Sequence, residues 1–314
     1  MDKAILHDHL DGGLRANTAM ELAKKASYTP LLELDDVSSF FDRSNCESLE
    51  DYLEAFIHTT ALMNTYDNLE RIAFEAAEDM HKNGINIYES RYAPLYSVNS
   101  KLSIKNVLKA INSGFKQAEN IYGIRSGLIL CGMRHDRENV EKVGEIAIDF
   151  KDMIIGFDIA GSELNFRPSL YKETFKKVED AGINITIHAG EGDNVDSISD
   201  ALNNGAKRIG HGVRIIEDVD VDTNKLGKTA SYIVQNQIPL EICITSNIHT
   251  NMYESFEHHP IVDLLNLGFN ISINTDNRLM SNTDINNEIN ISKKLGIENP
   301  EELLVKSASY SFLN

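Results

Sequence analysis

The sequence is poor in cysteine and in basic residues. Its three cysteines, Cys46, Cys131 and Cys243, are odd in number and widely spaced, and no CxxC pair occurs. A disulfide framework is therefore not expected, and a reducing compartment is the simpler setting. No basic segment leads into an apolar run at the N-terminus, and no apolar stretch reaches the length of a membrane span. We therefore expect no signal peptide and no membrane anchor, and a cytoplasmic protein. Lys and Arg number 30 against 48 Asp and Glu, a net charge of −18. That balance argues against nucleic acid or an anionic membrane surface as partner, since both select for basic patches. A small neutral substrate remains open. Oligomeric state leaves no trace in the sequence.

Also missing is any linker, low-complexity tract or shift in composition along the 314 residues. With 42% hydrophobic and 25% charged residues the chain has the makings of a large core, and residues 1–314 read as one domain. Short apolar runs rich in β-branched residues begin at about residues 4, 85, 127, 153, 183, 208, 239 and 269. Helical patterns separate them, which implies parallel strands. Eight such units predict an α/β fold, a (β/α)8 TIM-type barrel. The segment after the first strand is a long helical insertion. In it Leu49, Tyr52, Leu53 and Phe56 share one helix face, with Ser48 or Asp51 as cap.

Barrel chemistry sits at the C-terminal ends of the strands. The first strand runs into His7, His9 and Asp11. Residues i and i+2 of a strand point the same way, so both imidazoles project together. The fifth strand ends in His188, followed by Ala189-Gly-Glu191. The sixth carries His211 between two glycines, and the eighth ends in Thr275, Asp276 and Asn277. Three imidazoles and a carboxylate suit zinc with one position left for water. The expected ligands are His7, His9, His188 and Asp276. Binuclear barrels of this design place a bridging lysine at the end of strand four. Here that strand ends Phe157-Asp-Ile-Ala-Gly161 without one, which favours one zinc ion per chain. His211 is free to manage the proton of a water, and Glu191 to reach a substrate nitrogen. These residues predict a metal-assisted hydrolase acting on an electrophilic carbon beside a basic nitrogen.

Six motifs then occur in order: His7-Asp-His-Leu-Asp-Gly-Gly13, Cys131-Gly-Met-Arg-His135, Gly156-Phe-Asp-Ile-Ala-Gly-Ser-Glu163, Thr186-Ile-His-Ala-Gly-Glu191, Arg208-Ile-Gly-His-Gly212 and Asn274-Thr-Asp276. Together they resemble the adenosine deaminase family over nearly the whole chain. The resemblance implies zinc-dependent hydrolysis of adenosine, and of 2′-deoxyadenosine, to the inosine product and ammonia. It implies the same four metal ligands. Glu191 would share a proton with purine N1, His211 would orient and deprotonate the water, and Asp276 would also touch that water. The Gly161 N–H would donate to N3, and Asp11 would bind the ribose 5′-hydroxyl. His9 would lie against the substrate as well as the metal. Leu49, Tyr52 and Phe56 would form an apolar lid, a stripe that plain core packing explains almost equally well.

Two departures stand out. Asn277-Arg278 replaces the aspartate and proline that well-known members carry after Asn-Thr-Asp. An asparagine amide can still donate to purine N7. The chain also stops at Ser311-Phe-Leu-Asn314, where relatives usually continue into a further helix. The nearest alternatives are deaminases of adenine or of 5′-modified adenosines such as aminofutalosine. Adenine deaminases tend to have glutamate in place of Asp11. AMP deaminases are usually much longer, and no basic cluster suited to phosphate is present. A phosphoesterase would need more metal and cationic groups. A non-catalytic binding barrel would be expected to lack Glu191 or His211.

Overall fold

The computed structural model describes residues 1–314. Eight parallel strands run in barrel order: β1 (Ala4–His9), β2 (Ile87–Tyr92), β3 (Arg125–Met133), β4 (Gly156–Ala160), β5 (Asn184–Ala189), β6 (Arg208–His211), β7 (Leu240–Ile242) and β8 (Ile271–Ile273). Nearly every strand residue is buried, because helices cover the outside of the sheet and side chains fill its inside. The eight-strand barrel is thus the one expected.

β8 is too short to close the barrel by ladder bonds alone. Asn274 completes it: its Oδ1 accepts from Leu6 N at 2.8 Å and His7 N at 3.1 Å. Past it, His9 N donates to Asp276 O at 2.7 Å and Asp276 N to His7 O at 3.0 Å. Closure therefore brings the β1 histidines against the end of β8.

The opposite end of the barrel is plugged by the C-terminal segment. Glu89 accepts from Ser311 Oγ at 2.7 Å and Phe312 N at 2.5 Å. The Arg208 guanidinium lies 3.6 Å from the centre of the Phe312 ring and donates to Tyr310 O at 2.9 Å.

Between β1 and β2 lie six helical segments, from Ala16–Ala26 to Tyr66–Lys82. The apolar stripe expected on one helix is divided between two, Leu49–Leu53 and Phe56–Leu62. Ser48 caps the first, accepting from Asp51 N at 3.1 Å. Two elements differ from expectation. Where only helical patterning is expected after β6, Val219–Asp220 and Lys225–Leu226 form a small hairpin before the helix Lys228–Gln235. Directly after β7 the chain turns into an unexpected helix, Ile244–His249. Its β-branched and polar residues have poor helix propensity, and tertiary packing overrides that preference. No helix is long and apolar enough to cross a membrane.

Candidate active site

The C-terminal ends of β1, β5, β6 and β8 bring four histidines and an aspartate together. One donor atom from each of His7, His188, His211 and Asp276 lies within 4.8 Å of the others. His9 joins them: its Nε2 is 3.1 Å from His188 Nε2 and 3.4 Å from Asp276 Oδ1. The sequence expectation was His9 without His211 as ligand. Both imidazoles are present, so distance alone does not choose between them.

Two of the donors sit on unusual backbone. His211 and Asp276 have φ of 59° and 54°, the left-handed region that side chains other than glycine seldom adopt. Such conformations persist where surrounding structure holds them, often at functional sites. Here the hold is visible. Asp276 N and O are both tied to β1, and Ser246 Oγ donates to Asp276 Oδ2 at 2.6 Å.

Behind the imidazoles stand two buried carboxylates that sequence reading did not single out. His7 Nδ1 is 3.0 Å from Glu241 Oε2, and His188 Nδ1 is 2.8 Å from Asp158 Oδ2. Both carboxylates meet Arg91, at 2.7 Å from Glu241 and 2.6 Å from Asp158. Burial works against ionising either acid. The Arg91 and Arg208 guanidiniums outweigh it at Glu241, and His188 and Arg91 outweigh it at Asp158, so both stay below the usual carboxylate range. Glu241 then holds His7 with the proton on Nδ1 and the Nε2 lone pair turned inward, as second carboxylates do at metal sites, and Asp158 is the charged neighbour of His188 Nδ1.

The donor set fits a metal ion. His7 Nε2 and Asp276 Oδ1 are buried, lack a hydrogen-bond partner and lie 3.2 Å apart. Two donors each about 2.0–2.1 Å from a tetrahedral zinc would stand about 3.3 Å apart. The His7–Asp276, His9–Asp276 and His9–His188 separations all fall near that length.

Above the cluster opens a cavity of about 430 Å³. Every residue expected to touch substrate lies in its wall: His9, Asp11, Leu49, Tyr52, Phe56, Gly161, Glu191 and Asn277. No lysine or arginine does. Tyr52 is fully buried and its hydroxyl is 2.6 Å from Ser281 Oγ, so it forms a fixed wall, whereas Leu49 and Phe56 are only partly covered. Gly161 has φ 93°, and a side chain there would crowd Met133 and His135.

Glu191 enters this cavity from a tightly held loop. Glu163 accepts from the backbone N–H of Gly190 at 2.7 Å, Glu191 at 2.9 Å, Gly192 at 2.7 Å and Asp193 at 3.1 Å. Glu163 appeared in the sequence only as part of a motif, with no role attached. Burial, followed by the nearby Asp276 and Glu163 carboxylates, pushes Glu191 well above the usual carboxylate range. His211 Nε2 stands 3.5 Å from Glu191 Oε2. Burial likewise raises Asp11 to about 7, against hydrogen bonds from the backbone N–H groups of Asp11 and Ala93.

The family model described as adenosine deaminase matches residues 2–314. The chain belongs to the adenosine deaminase family. It is 42% identical to adenosine deaminase 1 of Streptomyces coelicolor over 91% of its own length and 75% of the relative's. Its fold matches an adenine deaminase from Arthrobacter aurescens with a TM-score of 0.89 at 22% identity, over 99% of this chain and 93% of that one. An Arabidopsis ADAL crystallised with IMP gives a TM-score of 0.82 at 24% identity, over 99% and 92%. As a member of this metal-dependent family of purine deaminases, the chain is a hydrolytic deaminase with a His/Asp cluster that could hold a metal ion.

Proposed function

We propose that residues 1–314 act as one domain, a one-zinc adenosine deaminase converting adenosine and 2′-deoxyadenosine, with water, to the inosine product and ammonia. The observation that carries this reading is Glu191, buried and aimed with His211 into the same cation-free cavity as the metal donors. His7, His9, His188 and Asp276 are the ligands. A zinc ion bound by these residues would lower the pKa of an attacking water from 15.7 towards about 7.

The chain's own residues do the rest. Glu191, kept protonated by burial, donates to purine N1 and draws electrons from C6, where the oxygen of the water adds. One proton of that water returns Glu191 to its neutral form, the other passes to the amino group, and the C6–N bond breaks to release ammonia. His211 and Asp276 orient the attacking oxygen. The Asn277 amide donates to N7 and the Gly161 N–H to N3. Asp11 takes the 5′-hydroxyl of the ribose, and Leu49, Tyr52 and Phe56 cover the nucleoside.

The charge of the wall supports a neutral nucleoside over a nucleotide. Asp11, Glu54, Glu191 and Asp276 line the cavity with no cation to receive phosphate. A free base would leave Asp11 without its partner. The three unpaired cysteines fit a reducing compartment, and we assign the chain to the cytoplasm.

The test is direct. Purified protein mixed with adenosine should show the ultraviolet change to inosine, lost on treatment with a strong zinc chelator and restored by one equivalent of zinc. No change with any 6-aminopurine nucleoside overturns the proposal.

A further inference from the structure

A chain of hydrogen bonds runs from a helix end to the active-site histidine. Ile261 opens the short helix Ile261–Asn266, and its backbone N–H donates to His259 Nδ1 at 3.2 Å. That N–H has no intrahelical acceptor and can only donate. His259 Nδ1 must therefore be the bare nitrogen of its ring. His259 is 5% exposed, and burial alone holds it neutral by lowering its pKa to about 3. Its proton then sits on Nε2, which lies 3.2 Å from Asn247 Oδ1. This sets the orientation of the Asn247 amide. Its Nδ2 faces His211 Nδ1 at 3.0 Å and donates to it.

We infer that Asn247 and His259 are positioning residues that fix the tautomer of His211, leaving Nδ1 bare and the proton on the Nε2 that faces the cavity. The place of His211 in the reaction rests on the deaminase reading; the tautomer itself does not. Asn247 reaches His211 because the helix Ile244–His249 follows β7 directly, which also aims Ser246 at Asp276. Two consecutive residues thus set two neighbouring groups of the site.

This tautomer sharpens the role of His211. A protonated Nε2 turns no lone pair toward the other donors of the cluster, which favours His9 over His211 as the fourth donor. It also meets the attacking oxygen as a hydrogen-bond donor. Taking a proton at Nε2 would require the ring to turn or the Asn247 amide to flip, and His259 Nε2–H opposes the flip. On this inference His211 orients the attacking oxygen as a donor, and the Glu191 carboxylate beside it, left bare once N1 holds its proton, takes the proton of the water.

The test reads the tautomer without turnover. Histidine-15N spectra of the metal-free protein, with His211 assigned by comparison with His211→Gln, should show His211 protonated at Nε2 and bare at Nδ1. Finding the proton on Nδ1 in the wild type overturns the inference, whatever the protein does with adenosine. Asn247→Asp keeps the shape and offers only acceptors, so it should move the proton to Nδ1. It should retain one zinc per chain and lower kcat on the order of 100-fold with KM little changed. An unchanged tautomer in that variant also counts against the inference. His259→Leu should give mixed tautomers, and His259→Gln, whose amide can donate to Asn247, should recover part of the loss. Equal behaviour of the two variants would mean that His259 only fills space.

Discussion

Arg91 Nη2 lies 2.7 Å from Glu241 Oε2, the same oxygen that stands 3.0 Å from His7 Nδ1. One buried carboxylate therefore serves a structural cation and an imidazole of the donor cluster at once. Thr186 Oγ1 and Arg208 Nε meet its other oxygen at 3.0 and 2.6 Å. Glu241→Gln keeps the shape and removes the charge. Zinc affinity should fall by about 10–100-fold. The fold should lose roughly 3–5 kcal/mol, because Arg91 and Arg208 are left buried beside a neutral group. A chelator competition and a urea melt measure the two effects separately. Unchanged zinc affinity would mean that Glu241 serves the fold alone.

Glu191 tests the chemistry itself. It holds no position in the expected ligand set, so Glu191→Gln should bind zinc as the wild type does. Its amide cannot give up a proton to N1, and kcat should drop by about 10²–10⁴. Metal analysis with steady-state kinetics separates this outcome from loss of the site. Normal deamination would remove Glu191 from the mechanism.

Asn277 stands where the family resemblance, drawn from its well-known members, implies an aspartate. Its side chain is buried in the cavity wall, and Oδ1 has no hydrogen-bond partner. Asn277→Ala should cost about 1–3 kcal/mol in kcat/KM through a lost hydrogen bond, with zinc content unchanged. An unaltered kcat/KM would show that the amide does not touch the purine.

Glu288 makes stability depend on pH. Burial raises it from 4.5 to about 7, although the Thr245 and Thr283 hydroxyls and the Thr245 N–H donate to it. The folded state then binds a proton that the unfolded chain releases between pH 4.5 and 7. The stabilisation is complete below the unfolded value and lost as pH rises through about 7, amounting to about 3 kcal/mol. Glu288→Gln keeps a neutral group of the same size. The difference in unfolding midpoint between variant and wild type should therefore grow in the variant's favour from pH 5 to pH 8. A constant difference would place the Glu288 pKa near its ordinary value.

The plug at the far end of the barrel is separate from the chemistry. Phe312→Ala removes the ring beneath the Arg208 guanidinium and should cost on the order of 2 kcal/mol. Its kcat at 25 °C should match the wild type, since Phe312 is at the opposite end of the strands from the cavity. A large fall in kcat with intact stability would contradict that separation.

The sequence by itself determined the barrel and the half of the site that is locally encoded. Eight apolar runs separated by helical patterns dictate parallel βα units. A histidine or aspartate at the end of an apolar strand is conspicuous because little else there is polar. His7 and His9 need only the two-residue repeat of a strand to point together. Even so, the carboxylates behind the imidazoles left a trace: Glu241 is a lone charge in the apolar strand Leu240–Ile242, and Asp158 is a lone charge in β4. A buried charge needs a partner, but nothing in the chain says which one.

Tertiary structure alone decided those partners. Glu241 is 234 residues from His7, Arg91 is 67 from Asp158 and Asn247 is 36 from His211. Closing the barrel converts these separations into contacts of about 3 Å, since each strand places its inward side chains against strands distant in sequence. The identity of the donors was therefore written locally. Their protonation, orientation and backbone strain depend on groups that meet only when β8 returns to β1.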